Sequence, residues 1–214
     1  MNSVLQRLGS FGVVPVVVIP DARHASPLAA ALQAGGLGCV EVTLRTPAGL
    51  DSISAITRAH PSMLTGAGTV LSIDQAKAAA DRGAKFIVSP GLNRKVVEYC
   101  LGVGLPVTPG VVTPTEIEAA LDLGLEVVKF FPAEPSGGLS YLKAVSAPYG
   151  GIRFIPTGGI DEKNLSGYLR FKPVLACGGS WMVKKELIEA GGFEQIERLT
   201  AGAVEAVRAS RAQG

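Results

Sequence analysis

Short apolar runs alternate with longer amphipathic stretches eight times along the chain, and this alternation limits the fold more than any other feature. Residues 13–19 form a β-branched run that predicts the first strand. Further strands are predicted at 39–44, 64–67, 86–89, 106–108, 127–131, 154–156 and 174–176. Helices are predicted between them, at 26–34, 47–59, 72–82, 93–101, 114–123, 138–147 and 162–169. Two more, at 184–190 and 193–209, close the chain, and residues 3–9 form a short helix before the first strand. The boundaries have local causes. Ser72 and Asn93 are N-cap types, and Gly35, Gly36 and Gly83 are helix stops. Thr113, Pro114 and Glu116 together form a cap, an N1 proline and a capping box.

Eight strand–helix units predict an α/β fold, a single (β/α)8 TIM barrel over residues 1–214 with a short N-terminal helix. With 214 residues, 47% of them hydrophobic, one core is favoured over two small domains. An open doubly wound sheet is the competing architecture. It normally carries a GxGxxG turn after the first strand, where this chain has Pro20-Asp21-Ala22-Arg23-His24. Charged residues make up only 18%, so the elements are packed on both faces or part of the surface is covered in an oligomer.

The net charge of +2 comes from scattered residues and argues against nucleic-acid or anionic-membrane partners. The apolar run at 11–19 is too short to span a bilayer. Cys39, Cys100 and Cys177 lie far apart without a CxxC, which predicts reduced thiols and a cytoplasmic protein. His24 and His60 have no ligand spacing with them, so neither a metal site nor a cofactor is predicted. His60, before Pro61, is expected in a surface turn.

Polar residues inside apolar strands carry the functional signal. Strand alternation turns Val40, Val42 and Leu44 outward and Glu41, Thr43 and Arg45 into the barrel. Buried charges need partners or a ligand. A Glu41–Arg45 ion pair serving only the structure is one reading; a site is the other. In the sixth strand Val128 and Phe130 face outward and Lys129 inward. A desolvated lysine can act as an amine nucleophile, although a core salt bridge to Glu41 would also explain it. Lys85 is a weaker candidate, because it starts a strand at the face concerned with stability. Gly158-Gly159 and Gly178-Gly179 follow the seventh and eighth strands, where barrels often bind phosphate. Together these groups suit an imine-forming lysine, a carboxylate clamp, a proton carrier and a phosphate loop.

Five stretches make the chain resemble bacterial 2-keto-3-deoxy-6-phosphogluconate aldolases, class I enzymes of the Entner–Doudoroff pathway. They are Val40-Glu41-Val42-Thr43-Leu44-Arg45-Thr46, Gly66-Ala67-Gly68-Thr69-Val70, Phe86-Ile87-Val88-Ser89-Pro90-Gly91, Val128-Lys129-Phe130-Phe131-Pro132-Ala133 and Pro156-Thr157-Gly158-Gly159-Ile160. The resemblance runs from about residue 8 to 207. It implies cleavage of the phosphorylated 2-keto acid to pyruvate and glyceraldehyde 3-phosphate by a homotrimer. It also implies that Lys129 forms the Schiff base and Glu41 is the general acid/base. By the same resemblance Arg45 and Thr69 surround the pyruvate carboxylate, and Pro90 and Phe131 wall the imine. Thr157, Gly158, Gly159, Gly179 and Ser180 would hold the distal phosphate. Several such enzymes also accept 4-hydroxy-2-oxoglutarate. The related 6-phosphogalactonate aldolases differ at one hydroxyl. The run Cys177-Gly178-Gly179-Ser180-Trp181 resembles the phosphogluconate branch. A non-covalent barrel isomerase or epimerase and a phosphometabolite-binding barrel without turnover are the remaining classes.

Overall fold

The computed structural model describes residues 1–212. The side chain of Asn2 opens α1 (Ser3–Phe11) by accepting the Val4 N–H at 2.8 Å, and Gly12 ends it in the left-handed region. The parallel strands follow: β1 (Val13–Val17), β2 (Cys39–Thr43), β3 (Leu64–Gly68), β4 (Ile87–Val88) and β5 (Val107–Thr108). Then come β6 (Gly110–Val111), β7 (Val127–Phe130), β8 (Arg153–Pro156) and β9 (Cys177–Gly179). Between and after them run α2 (Ala25–Ala34), α3 (Gly49–Ala59), α4 (Ile73–Asp81), α5 (Arg94–Gly102) and α6 (Pro114–Asp122). The last are α7 (Gly138–Ser146), α8 (Leu165–Leu169), α9 (Lys185–Glu189) and α10 (Phe193–Ala212).

The strands form two runs, β5-β4-β3-β2-β1-β9 and β6-β7-β8. Only Pro109 separates β5 from β6, so these two are one barrel strand interrupted at a proline. On the other side, bridges Phe154↔Val174 and Thr157↔Gly178 join β8 to the segment of β9. The ring of eight positions is therefore closed. Outward residues such as Val40, Val42, Ala67 and Val128 are buried under the helices, and Phe130 stacks on Tyr141 of α7 with ring centroids 6.1 Å apart. Helix α1 covers the N-terminal end of the barrel. Its Gly9 abuts Leu175 before β9, while Asn2 and Leu5 share a cavity with residues that begin β5 and β7. The C-terminal ends of the strands remain as the open mouth.

Two expectations need correction. The eighth strand is not at 174–176; Val174 makes only an isolated bridge, and the pairing partner of β1 is Cys177–Gly179. Gly178 and Gly179 are thus strand residues rather than a turn, because the backbone donors and acceptors of β1 select the segment that lies in register with them. The predicted helix at 162–169 shrinks to α8, because Asp161 and Asn164 bond each other's backbone N–H groups at 2.9 and 3.2 Å and hold a turn there. His60 begins the surface turn expected there, closed by the Met63 N–H to its carbonyl at 3.0 Å. It is half-buried at the end of α3, with Ser26 Oγ 3.1 Å and Gln33 Oε1 2.8 Å from its ring nitrogens.

Candidate active site

Register determines what points into the barrel. Val16 pairs with Glu41, Glu41 with Gly66, and Thr43 with Gly68. Farther round, Gly110 pairs with Lys129 and Lys129 with Ile155. Paired residues in a parallel ladder share a face, so Glu41, Thr43, Lys129 and Thr157 belong to the interior with these glycines. Low in the barrel, Phe86 fills the space that Gly66 leaves. Higher up, a Cβ at Gly68 would collide with the Glu41 carboxylate, and one at Gly110 with the Pro90 carbonyl. The missing side chains leave their space to Phe86, the Glu41 carboxylate and the Pro90 carbonyl.

Lys129 is 6% exposed and Glu41 4%. Their Nζ and Oε1 atoms stand 3.9 Å apart. That is a loose pair, since a good charge-assisted hydrogen bond spans about 2.7–2.9 Å. Glu41 Oε1 is fully buried and accepts no hydrogen bond. A core ion pair kept for stability would close this gap and satisfy its oxygens, because an unsatisfied buried acceptor costs about 1–3 kcal/mol. The Lys129 Nζ also lies 4.8 Å from the centroid of the Phe131 ring, which leaves an apolar wall on one side of the amine. Pro90, pressed by its carbonyl against Gly110, stands beside the same rung of the ladder.

Thr69 follows Gly68 at the mouth and is half-buried. Among the described residues it is the one non-glycine at positive φ, 58°. A β-branched residue held there costs about 1–2 kcal/mol and persists where the surroundings over-determine it. Arg45 departs from expectation. Strand β2 ends at Thr43, so Arg45 is exposed in the following turn, without a hydrogen bond or ion pair among the described residues. The turn is set by Thr46, whose hydroxyl donates to the Ile19 carbonyl at 2.6 Å. Lys85 is exposed, which removes it from the interior.

The distal loops meet at the Thr157↔Gly178 bridge. Gly158 and Gly159 adopt φ 97° and 81°, a region other residues enter only with strain. The Gly158 carbonyl accepts from Glu134 N at 3.0 Å and anchors the turn. A tight turn of two glycines lets backbone N–H groups come close to an anion. Gly179 is buried, and Ser180 is exposed just beyond it. The inward glycines Gly66, Gly68 and Gly110 were not singled out from the sequence as site-lining. Their positions two apart within Gly66-Ala67-Gly68 were the available signal. Among the described residues no group of three or more His, Cys, Asp or Glu is placed to hold a metal ion, and no helix is long and apolar enough to cross a membrane.

The profile described as "KDPG and KHG aldolase" matches residues 4–199. The chain belongs to the KDPG and KHG aldolase family. It is 48% identical over 200 residues to the 2-dehydro-3-deoxy-phosphogluconate aldolase of Treponema pallidum, covering 94% of this chain and 95% of the relative. It is 43% identical to the KHG/KDPG aldolase of Escherichia coli K12, covering 92% of each. The crystal structure of KDPG aldolase from Legionella pneumophila, with pyruvate captured at low pH as a covalent carbinolamine intermediate, superposes with a TM-score of 0.91 at 37% identity. That match covers 95% of this chain and 98% of the other. The barrel of this family member is thus the aldolase barrel, with its C-terminal mouth open and its N-terminal end covered by α1.

Proposed function

We propose that the chain is a Schiff-base lyase that cleaves 2-keto-3-deoxy-6-phosphogluconate to pyruvate and glyceraldehyde 3-phosphate, with Lys129 as nucleophile and Glu41 as proton carrier. The observation that carries this reading is the loose, buried pair of Lys129 and Glu41, held 3.9 Å apart inside the barrel. Lys129, as the neutral amine, adds to the C2 carbonyl and then loses water to give a protonated imine. The imine accepts the electron pair of the breaking C3–C4 bond. Glu41 takes the C4 hydroxyl proton, directly or through a water, and the aldehyde leaves. Its proton then returns to C3 of the enamine, and water frees pyruvate and the lysine.

Phe131 and Pro90 keep the imine side apolar. Arg45, free of protein partners, swings over the mouth to fork the C1 carboxylate, with Thr69 beside it. Thr157, Gly158, Gly159, Gly179 and Ser180 receive the phosphate. The same mouth admits 4-hydroxy-2-oxoglutarate, which lacks the phosphate and gains nothing from these loops. The assembly is a homotrimer in the cytoplasm, in keeping with the low charge content and the three free, buried cysteines.

Borohydride reduction in the presence of pyruvate tests the chemistry. Wild-type protein gains a pyruvyl mass on the peptide holding Lys129, and Lys129→Ala gains none. Glu41→Gln keeps some trapping while losing about 10²–10⁴-fold in turnover. Trapping at another lysine, or turnover without trapping, would overturn the assignment. Kinetics with both C4 epimers separate this reaction from 6-phosphogalactonate cleavage. Light scattering is expected to give three times the 22.0 kDa chain mass.

A further inference from the structure

At the covered end of the barrel, opposite the mouth, a second cavity of about 320 Å³ opens between α1, the connection from α8 to β9, and α10. Arg153, Lys172 and Arg211 all line it, and among the described residues no carboxylate does. Their environments differ. Arg153 opens β8, paired with Val127, and its Nε is buried with no hydrogen-bond partner. Neither Arg153 nor Lys172 makes a side-chain hydrogen bond or ion pair among the described residues. Arg211 is held in place by donating to the Ser10 carbonyl at 2.7 Å and to the Gly9 carbonyl. Those two bonds leave further guanidinium donors for another acceptor. Glu126, beside the Arg153 backbone, is engaged by the Met1 amine at 2.8 Å.

Three cations around one concave space raise its potential and draw an anion to it. A buried guanidinium nitrogen without an acceptor costs free energy that an oxyanion would recover. We propose that this pocket is a second anion site, separate from the catalytic mouth, for a small oxyanion of the phosphate or phosphate-monoester class. Arg153 and Arg211 supply planar donors to its oxygens, and Lys172 supplies a mobile charge at the rim. The site does not depend on the aldolase reading, since none of its residues belongs to the reaction.

Calorimetric titration at low ionic strength tests it, with inorganic phosphate in one arm and glycerol phosphate in the other. Wild type should show two classes of site, at the mouth and at this pocket. In Lys172→Met and in Arg153→Met one class should weaken at least tenfold in the arm that binds. Lys172→Met changes an exposed residue, so its fold and its kcat/KM in phosphate-free buffer should match wild type. Retention of binding by glycerol phosphate alone assigns the site to monoesters, and binding of both assigns it to the phosphate group itself. Identical isotherms for wild type and both variants in both arms would overturn the proposal.

Discussion

A methyl group added at Gly68 would occupy the place of the Glu41 carboxylate. Gly68→Ala therefore tests whether that carboxylate must stand where it does. We expect kcat to fall about 10²-fold, the lower range for general acid/base loss. Pyruvate trapping on Lys129 should survive, and overpacking should lower stability by about 1–3 kcal/mol. Wild-type kcat in this variant would show that the carboxylate position is not critical. The cysteines give a second test. Burial disfavours the thiolate, pushing Cys100 up to about 11 and Cys39 and Cys177 higher still. Iodoacetamide at pH 8 should leave the native chain unmodified and alkylate all three residues after unfolding, as read by intact mass. At this scale the inward Lys129 and Glu41 were legible in the sequence, because alternation in a strand is a local rule. Arg45 was not, since where a strand stops depends on the next strand's last hydrogen bond, Leu44 N to Gly68 O at 2.9 Å.

Among the elements, α6 shows the clearest link from local sequence to stability. The Thr113 hydroxyl accepts the Glu116 N–H, and the Glu116 carboxylate takes bonds from the Val112 and Thr113 N–H groups, each at 2.8 Å. Partial burial raises the Glu116 pKa, but the bonds from the Thr113 and Val112 N–H groups and the Thr113 hydroxyl outweigh it and hold the group below its ordinary 4.5. A lowered folded pKa stabilises the fold above the unfolded value, and that contribution is lost as pH falls through the folded one. Glu116→Gln should therefore destabilise at pH 7 and approach no effect once the pH is below that lowered value. Thr113→Ala should cost about 1 kcal/mol at neutral pH. Denaturant melts across pH check both, and a pH-independent Glu116→Gln cost would contradict the assignment. In the loop proposed to receive the phosphate, adding a side chain at Gly158 forces a strained φ of 97°. Gly158→Ala should lower kcat/KM for the phosphorylated substrate more than for 4-hydroxy-2-oxoglutarate.

At the scale of the whole molecule, a closed barrel joins residues far apart in the chain, and α1 is the element that seals it. Leu8 on α1 is 1% exposed within the core. Leu8→Ala should cost about 2–5 kcal/mol in a urea melt, with loss of the transition midpoint for the entire domain rather than fraying of one helix. A cost below 1 kcal/mol would mean that α1 is a loosely attached arm.

The sequence by itself determined the number of strand–helix units, the helix ends marked by Ser72, Asn93 and Thr113, and the inward direction of Glu41 and Lys129. All of these follow from spacing within a few residues, where side-chain periodicity and capping act without help from the rest of the chain. Only the tertiary structure decided which segment became the last strand, because the free edge of β1 chose Cys177–Gly179 over the more apolar residues before it. It alone decided the 3.9 Å gap between Lys129 and Glu41 and the cation-lined pocket beneath α1, since those groups come from strands and helices far apart in sequence. Such distances are set by ring closure and packing, which no local pattern encodes.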